Sequence, residues 1–253
     1  METPELRYDG SFEGFLSSIY FVYQHKIKPS AILSNNLQPG LFNSITTITT
    51  EEKKADRVLA GLQLKSSKKV VRFIYQCFLS EQEGIELKLL YFIRLVLAGK
   101  GFKIQDYSDP IVVDLHEIKK RVGREVHRMH AFVRFQETKE DLWVCEINPD
   151  FNVLPLIGKH FKDRYPNFDW IIIDTKRQSG LMYQKQYLTF GSFVKQTTGK
   201  KRLTEKHKTP DEKIYQSLWK KYFKSVNIDE RNNSKLHLQH VPKRYWKYLI
   251  EKQ

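Results

Sequence analysis

The sequence predicts a mixed α+β fold: an antiparallel sheet with packed helices and a helical, basic C-terminal extension. Three observations carry this expectation. Apolar residues recur at helical spacing between Glu51 and Met129, as at Ile111, Leu115, Ile118, Val122 and Val126. The pattern switches to period two between Ala131 and Ile147, the mark of a half-buried strand pair. From Lys195 to Gln253 there are 16 Lys and Arg against 6 Asp and Glu, a net of +10 within a chain total of +14.

Leu6 to Asp9 reads as a short strand, and Ser11 can cap a helix with Phe12, Phe15, Leu16, Ile19 and Phe21 on its apolar surface. Ile27 to Gly40 reads as loop, with Pro29, Asn35, Asn36, Pro39 and Gly40 as breakers. Ser44 to Thr50 is β-branched and reads as a strand. Glu51 to Ser80 is helical with a break at Ser66-Ser67, and Glu83 to Ala98 is a helix stopped by Gly99-Lys100-Gly101. Pro110 opens the next helix, which runs to about Met129. Ala131 to Phe135 and Leu142 to Ile147 form a hairpin, Val153 to Tyr165 an amphipathic helix, and Trp170 to Ile173 a buried strand. Leu181 to Gln184 and Tyr187 to Phe190 are shorter strands. Asp211 to Val226 is a helix with Ile214, Leu218 and Tyr222 on one side, and Trp219, Tyr222 and Phe223 read as the core of this region. Asn233 to His240 adds a further turn or two before Pro242.

These elements divide into a main domain over 1–195, a basic linker over 196–209 and a helical extension over 210–253. A hydrophobic fraction of 40% with 13% aromatic residues supports a packed core and argues against a disordered chain. A pI near 9.6 points to acidic partners, nucleic acid first and an anionic membrane surface second. No stretch has the length of a membrane span, and nucleic acid rather than a membrane is the partner expected. Met1 to Gly10 lacks an apolar signal core. Cys77 and Cys145 are too few for a disulfide framework, which fits a cytoplasmic setting.

Several motifs occur together: Tyr8-Asp9-Gly10-Ser11-Phe12-Glu13-Gly14-Phe15, Glu125 to Phe135, Phe151 to Ile157 with His160-Phe161, Trp170 to Asp174 with Lys176-Arg177, Trp219 with Tyr222-Phe223, and Pro242 to Trp246. With them the chain resembles, over nearly its whole length, a bacterial family of DNA-metabolism proteins of unknown activity. Its members are encoded beside a radical-SAM protein assigned to DNA repair, and in some bacteria a similar domain is fused to a uracil-DNA glycosylase domain. The resemblance implies a DNA-repair or modification context and a radical-SAM partner, but no reaction. His130 stands where the family often carries Lys.

The densest polar group in the middle of the chain is Arg121 to Arg128. Arg121, Glu125 and Arg128 share a helical face, with Arg124 and His127 beside them. One reading is a phosphate clamp in which Glu125 orients guanidiniums; the plainer one is a solvated charged face. Glu125 and His127 are the candidate catalytic residues, and Arg134, a lone cation among Phe132, Val133 and Phe135, is a further candidate phosphate ligand. In the terminal box, Tyr245 and Trp246 could stack on bases while Lys243, Arg244 and Lys247 hold phosphates, or the rings could pin the C-terminus.

His127/His130 and His237/His240 are two His-x-x-His pairs, read as ordinary histidines rather than metal ligands. Asp150 followed by Asp174-Thr175-Lys176 loosely matches a magnesium nuclease, although the helix between the strands departs from that layout. No cofactor or metal is expected.

The function expected is a DNA-binding accessory protein in repair or modification, working with the radical-SAM partner. The alternative is an enzyme acting directly on DNA, either a base-excision glycosylase-like enzyme or a metal-dependent nuclease. For that reading Asp9, Glu13, Glu125, Glu146 and Asp174 are the candidate acids, and Phe12, Phe132 and Trp143 could line a base pocket.

Overall fold

A computed structural model describes residues 4–34, 44–99, 107–192, 209–225 and 233–252. The fold is mixed α+β, as the sequence predicts. The chain forms two compact units, 1–123 and 124–253. This grouping differs from the expected division at 195, because the C-terminal segment contributes core to the second unit. Most of the expected linker over 196–209, with the Gly40, Lys100, Gly101 and Val226 positions, lies outside the described residues.

In the first unit β1 (Glu5–Tyr8) is followed by α1 (Phe12–His25), β2 (Ala31–Ser34) and β3 (Ile45–Thr47). β1 sits between the other two and is parallel to both. The expected loop over Ile27 to Gly40 therefore contains a strand, because Ala31-Ile32-Leu33 supplies an apolar run that pairs with β1. Ser11 caps α1 by accepting the Gly14 amide at 2.9 Å. Gly14 is required there: a Cβ would collide with Asp9 Oδ1, which itself accepts from Ser11. α2 (Glu52–Lys65), α3 (Lys68–Phe78) and α4 (Ile85–Leu97) follow, with the expected break at Ser66-Ser67. Leu6, Phe15, Leu62, Ile74, Leu89 and Phe92 are buried in this unit.

α5 (Pro110–Phe132) carries the chain into the second unit. Asp109 caps it through bonds from Ile111 N and Val112 N at 2.9 and 3.2 Å, and Pro110 fills the first turn. The strand expected over Ala131 to Phe135 does not form: Ala131 and Phe132 end this helix, and Val133 to Phe135 are irregular. Val122, Val126, Met129 and Val133 continue one helical stripe, and Val133 N still bonds Met129 O at 3.2 Å.

β4 (Gln136–Glu137), β5 (Trp143–Ile147), α6 (Leu154–Arg164), β6 (Trp170–Asp174), β7 (Ser179–Gln184) and β8 (Tyr187–Ser192) make a five-stranded sheet in sequence order. The sheet is mixed rather than wholly antiparallel. β5 and β6 run parallel, Cys145 opposite Ile172, because α6 returns the chain to the same end before β6 begins. Gly158 lets α6 lie close to the sheet: a Cβ there would meet Leu181 and Leu188 methyls at 2.9 Å. The core gathers Met129, Val133, Cys145, Ile157, Phe161 and Trp170, with Tyr245 from the C-terminal segment.

α7 (Pro210–Ser225) and α8 (Ser234–His240) precede a 3-10 segment, Lys243–Tyr248, and a 3-10 turn, Ile250–Lys252. Asn233 caps α8 through the Leu236 amide at 3.0 Å. Among the described residues no helix is long and apolar enough to cross a membrane.

Candidate nucleic-acid interface

The loops that leave the parallel strands β5 and β6 emerge at the same sheet edge, the place where α/β folds commonly hold ligands. The loop after β5 brings Asn148 and Asp150, and the loop after β6 brings Lys176. With Lys243, Arg244 and Lys247 from the 3-10 segment they line a cleft of about 410 Å³. Four cations thus face one carboxylate.

Partly buried and exposed hydrogen bonds hold these segments together. Asp174 is fully buried; its Oδ1 accepts Lys176 N and Arg177 N at 2.9 and 3.2 Å, and its Oδ2 pairs with the Arg177 guanidinium at 2.9 Å. Arg177 also donates to Pro149 O at 3.2 Å and Asp150 O at 2.9 Å, and Lys176 Nζ donates to Asp150 O at 3.1 Å. The hydroxyls of Thr175 and Tyr248 lie 3.2 Å apart, tying the strand end to the 3-10 segment.

Beneath the cleft, Glu125 is 1% exposed. Its Oε1 accepts from the Tyr245 hydroxyl and from Asp150 N at 2.8 Å. Its Oε2 faces Arg128 at 3.5 Å and Arg244 at 3.6 Å. Arg244 in turn meets Asp150 Oδ2 at 2.5 Å, donates to the Tyr245 oxygen at 2.9 Å and covers that ring at 4.7 Å. Burial, and then the Glu125 carboxylate beside it, hold the Tyr245 hydroxyl above the usual phenol range. The Glu125 carboxylate thus stands beside two guanidiniums, those of Arg128 and Arg244.

The other candidates disperse. Arg121 belongs to the first unit and donates to Gln82 at 3.3 Å. Arg124 and His127 are exposed on α5. Arg134 pairs with Glu251 at 2.9 Å and lies 5.7 Å over the Trp219 ring, lining a different cavity. Lys243 and Lys247 are exposed, Tyr245 is buried and Trp246 is half-buried, its indole donating to Val241 O at 2.9 Å. Within the box the split is thus between a buried Tyr245 and exposed cations. Trp219 and Tyr222, expected as core, are 39% and 58% exposed.

His130 stacks on His160 with ring centroids 4.0 Å apart, and His237 faces Trp246 at 6.1 Å. Among the described residues no three His, Cys, Asp or Glu side chains gather as a metal would require. The sequence named Lys176 only within a resemblance motif and a nuclease pattern, and did not single out Asn148. The available signal was the order strand, helix, strand, which forces a parallel pair and a loop cluster at its C-terminal edge.

The family described as a domain of unknown function, DUF4130, matches residues 83–251. No curated protein and no solved structure is significantly similar to the chain.

Proposed function

The chain belongs to the DUF4130 family, and we propose that it binds DNA through the cationic cleft at the C-terminal ends of β5 and β6. In this reading it is a cytoplasmic accessory protein of DNA repair or modification, and the radical-SAM protein implied by the sequence resemblance is its partner. The observation that carries the reading is the convergence of Lys176, Lys243, Arg244 and Lys247 on one cleft. A phosphate backbone offers successive negative charges to several cations gathered on one surface. Arg244 is braced by Asp150, Tyr245 and Glu125, so its planar fork is ordered before a phosphate arrives.

Direct chemistry on DNA has less support. Asp174, the second acid of the nuclease pattern, is fully buried and engaged by Arg177 and two turn amides. The Glu125 carboxylate is likewise occupied by Tyr245 and Asp150 N.

Fluorescence anisotropy with labelled single-stranded DNA, duplex DNA and RNA, each titrated with salt, tests the proposal. Affinity should fall steeply as salt rises, and replacing both Lys243 and Lys247 by Ala should lower the log–log salt slope by about 2. Undiminished binding by that double variant, or no binding at low salt, would overturn it.

A further inference from the structure

In the terminal box Tyr245 is buried under Arg244 and Trp246 is half-buried; the more exposed aromatic residues lie elsewhere. They lie on α7. Tyr215, Trp219 and Tyr222 are 63%, 39% and 58% exposed, and with Trp143 of β5 and Tyr165 at the end of α6 they line a cavity of about 1010 Å³. We propose that this cavity takes unstacked bases of a single-stranded nucleic acid whose phosphates lie in the cationic cleft. The inference rests on the DNA-binding reading above and adds to it the strand state and the base-contacting residues.

Four features support this occupant. Flat rings from separate elements suit stacking, which tolerates any base because every base has a π face. The volume is at the upper end of the roughly 300–1,000 Å³ of small-ligand sites, room for more than one base. The lining includes Glu212, 8% exposed, whose oxygens accept from Gln216 Nε2 at 2.7 Å and Glu137 N at 3.3 Å. A carboxylate has about four acceptor positions, so capacity remains for N–H donors of bases, the thymine N3–H among them.

The fourth feature is continuity. Lys247 lines the cationic cleft and Ile250 lines the aromatic cavity. Three residues span at most about 10 Å of chain, so neighbouring nucleotides can reach both sites. Glu251 fixes the junction by pairing with Arg134 at 2.9 Å and accepting the Trp219 indole N–H at 3.0 Å.

The test compares a single-stranded oligothymidylate with an abasic strand of equal length and charge, using the whole chain. Oligothymidylate should bind at least about tenfold more tightly and quench tryptophan fluorescence. The double variant Tyr215→Ala with Tyr222→Ala should remove that advantage while keeping the salt slope. Both side chains are well exposed, and a circular-dichroism melt checks that the variant folds. A conservative variant, Tyr215→Phe with Tyr222→Phe, should retain the preference. Equal affinity for the two strands, or an unchanged preference in the folded Ala variant, would overturn the inference. The phosphate cleft has its own readout: a log–log salt slope lower by about 2 on Lys243→Ala with Lys247→Ala. Failure of that readout would count against the DNA-binding reading.

Discussion

Tyr245 places its phenolic hydroxyl on the Oε1 of Glu125, joining the C-terminal 3-10 segment to α5 across 120 positions of sequence. Glu125 is nearly inaccessible, so its charge must be met inside the protein. Tyr245, Asp150 N, Arg128 and Arg244 meet it. The same contact anchors the segment that presents Lys243 and Lys247 to the cleft. Packing and electrostatics are therefore shared: the acid that closes the core also fixes the orientation of Arg244.

Tyr245→Phe keeps the buried ring but removes a donor from an ionised acceptor. A hydrogen bond to a charged group contributes about 1.5–3 kcal/mol, so the variant should lose roughly 2 kcal/mol of stability. Urea unfolding with an unchanged m-value is the measurement. A loss well under about 0.5 kcal/mol would mean that Arg128 and Arg244 satisfy Glu125 without the hydroxyl.

A pH-dependent contribution comes from Glu251. Burial alone would raise its pKa, but hydrogen bonds from backbone and Trp219 and the Arg134 charge outweigh it and hold the carboxyl below the usual range. A depressed folded pKa gives stability that is fully present above the unfolded value, about 4.3 for a Glu, and is lost as pH falls through the folded one. Glu251→Gln should cost roughly 1–2 kcal/mol at neutral pH through loss of the charged partner. The gap between wild type and variant should close as pH falls below about 4. Unfolding midpoints across pH check this, and a gap that widens in acid would refute the assignment.

Helices and strands were legible where periodicity was strong, as in α4, α5 and β6. The α5 end was not: Phe132, Val133 and Phe135 alternate with Arg134 as in a strand, while Met129 and Val133 also satisfy helical spacing. Only the i to i−4 bond of Val133 decides between them. Lys243, Arg244 and Lys247 were legible as a cationic group because they are adjacent in sequence. Their meeting with Lys176 was not, since it depends on β5 and β6 being parallel neighbours. The exposure of Tyr215, Trp219 and Tyr222 was equally hidden. An aromatic stripe at helical spacing looks the same whether it faces a core or a cavity.

The first unit carries a buried pair of opposite pH character. Tyr8 donates to Glu86 at 2.9 Å, and Glu86 is 7% exposed. Burial raises the Glu86 pKa and outweighs the opposing bonds from backbone and Tyr8, while burial and the neighbouring acid raise that of Tyr8. A carboxyl raised in the folded state gives stability that is complete below its unfolded pKa, about 4.3, and is lost as pH rises through the folded value. Glu86→Gln keeps an acceptor for Tyr8 without the charge. The variant should therefore gain on the wild type as pH rises from about 4 to 7. In acid, where Glu86 is already neutral, the two should match closely. Chemical unfolding of both proteins at matched pH values reads the difference directly. A variant that loses ground as pH rises would mean that the ionised carboxylate is favoured in the folded unit, by a cation near Glu86 or by the Tyr8 hydrogen bond.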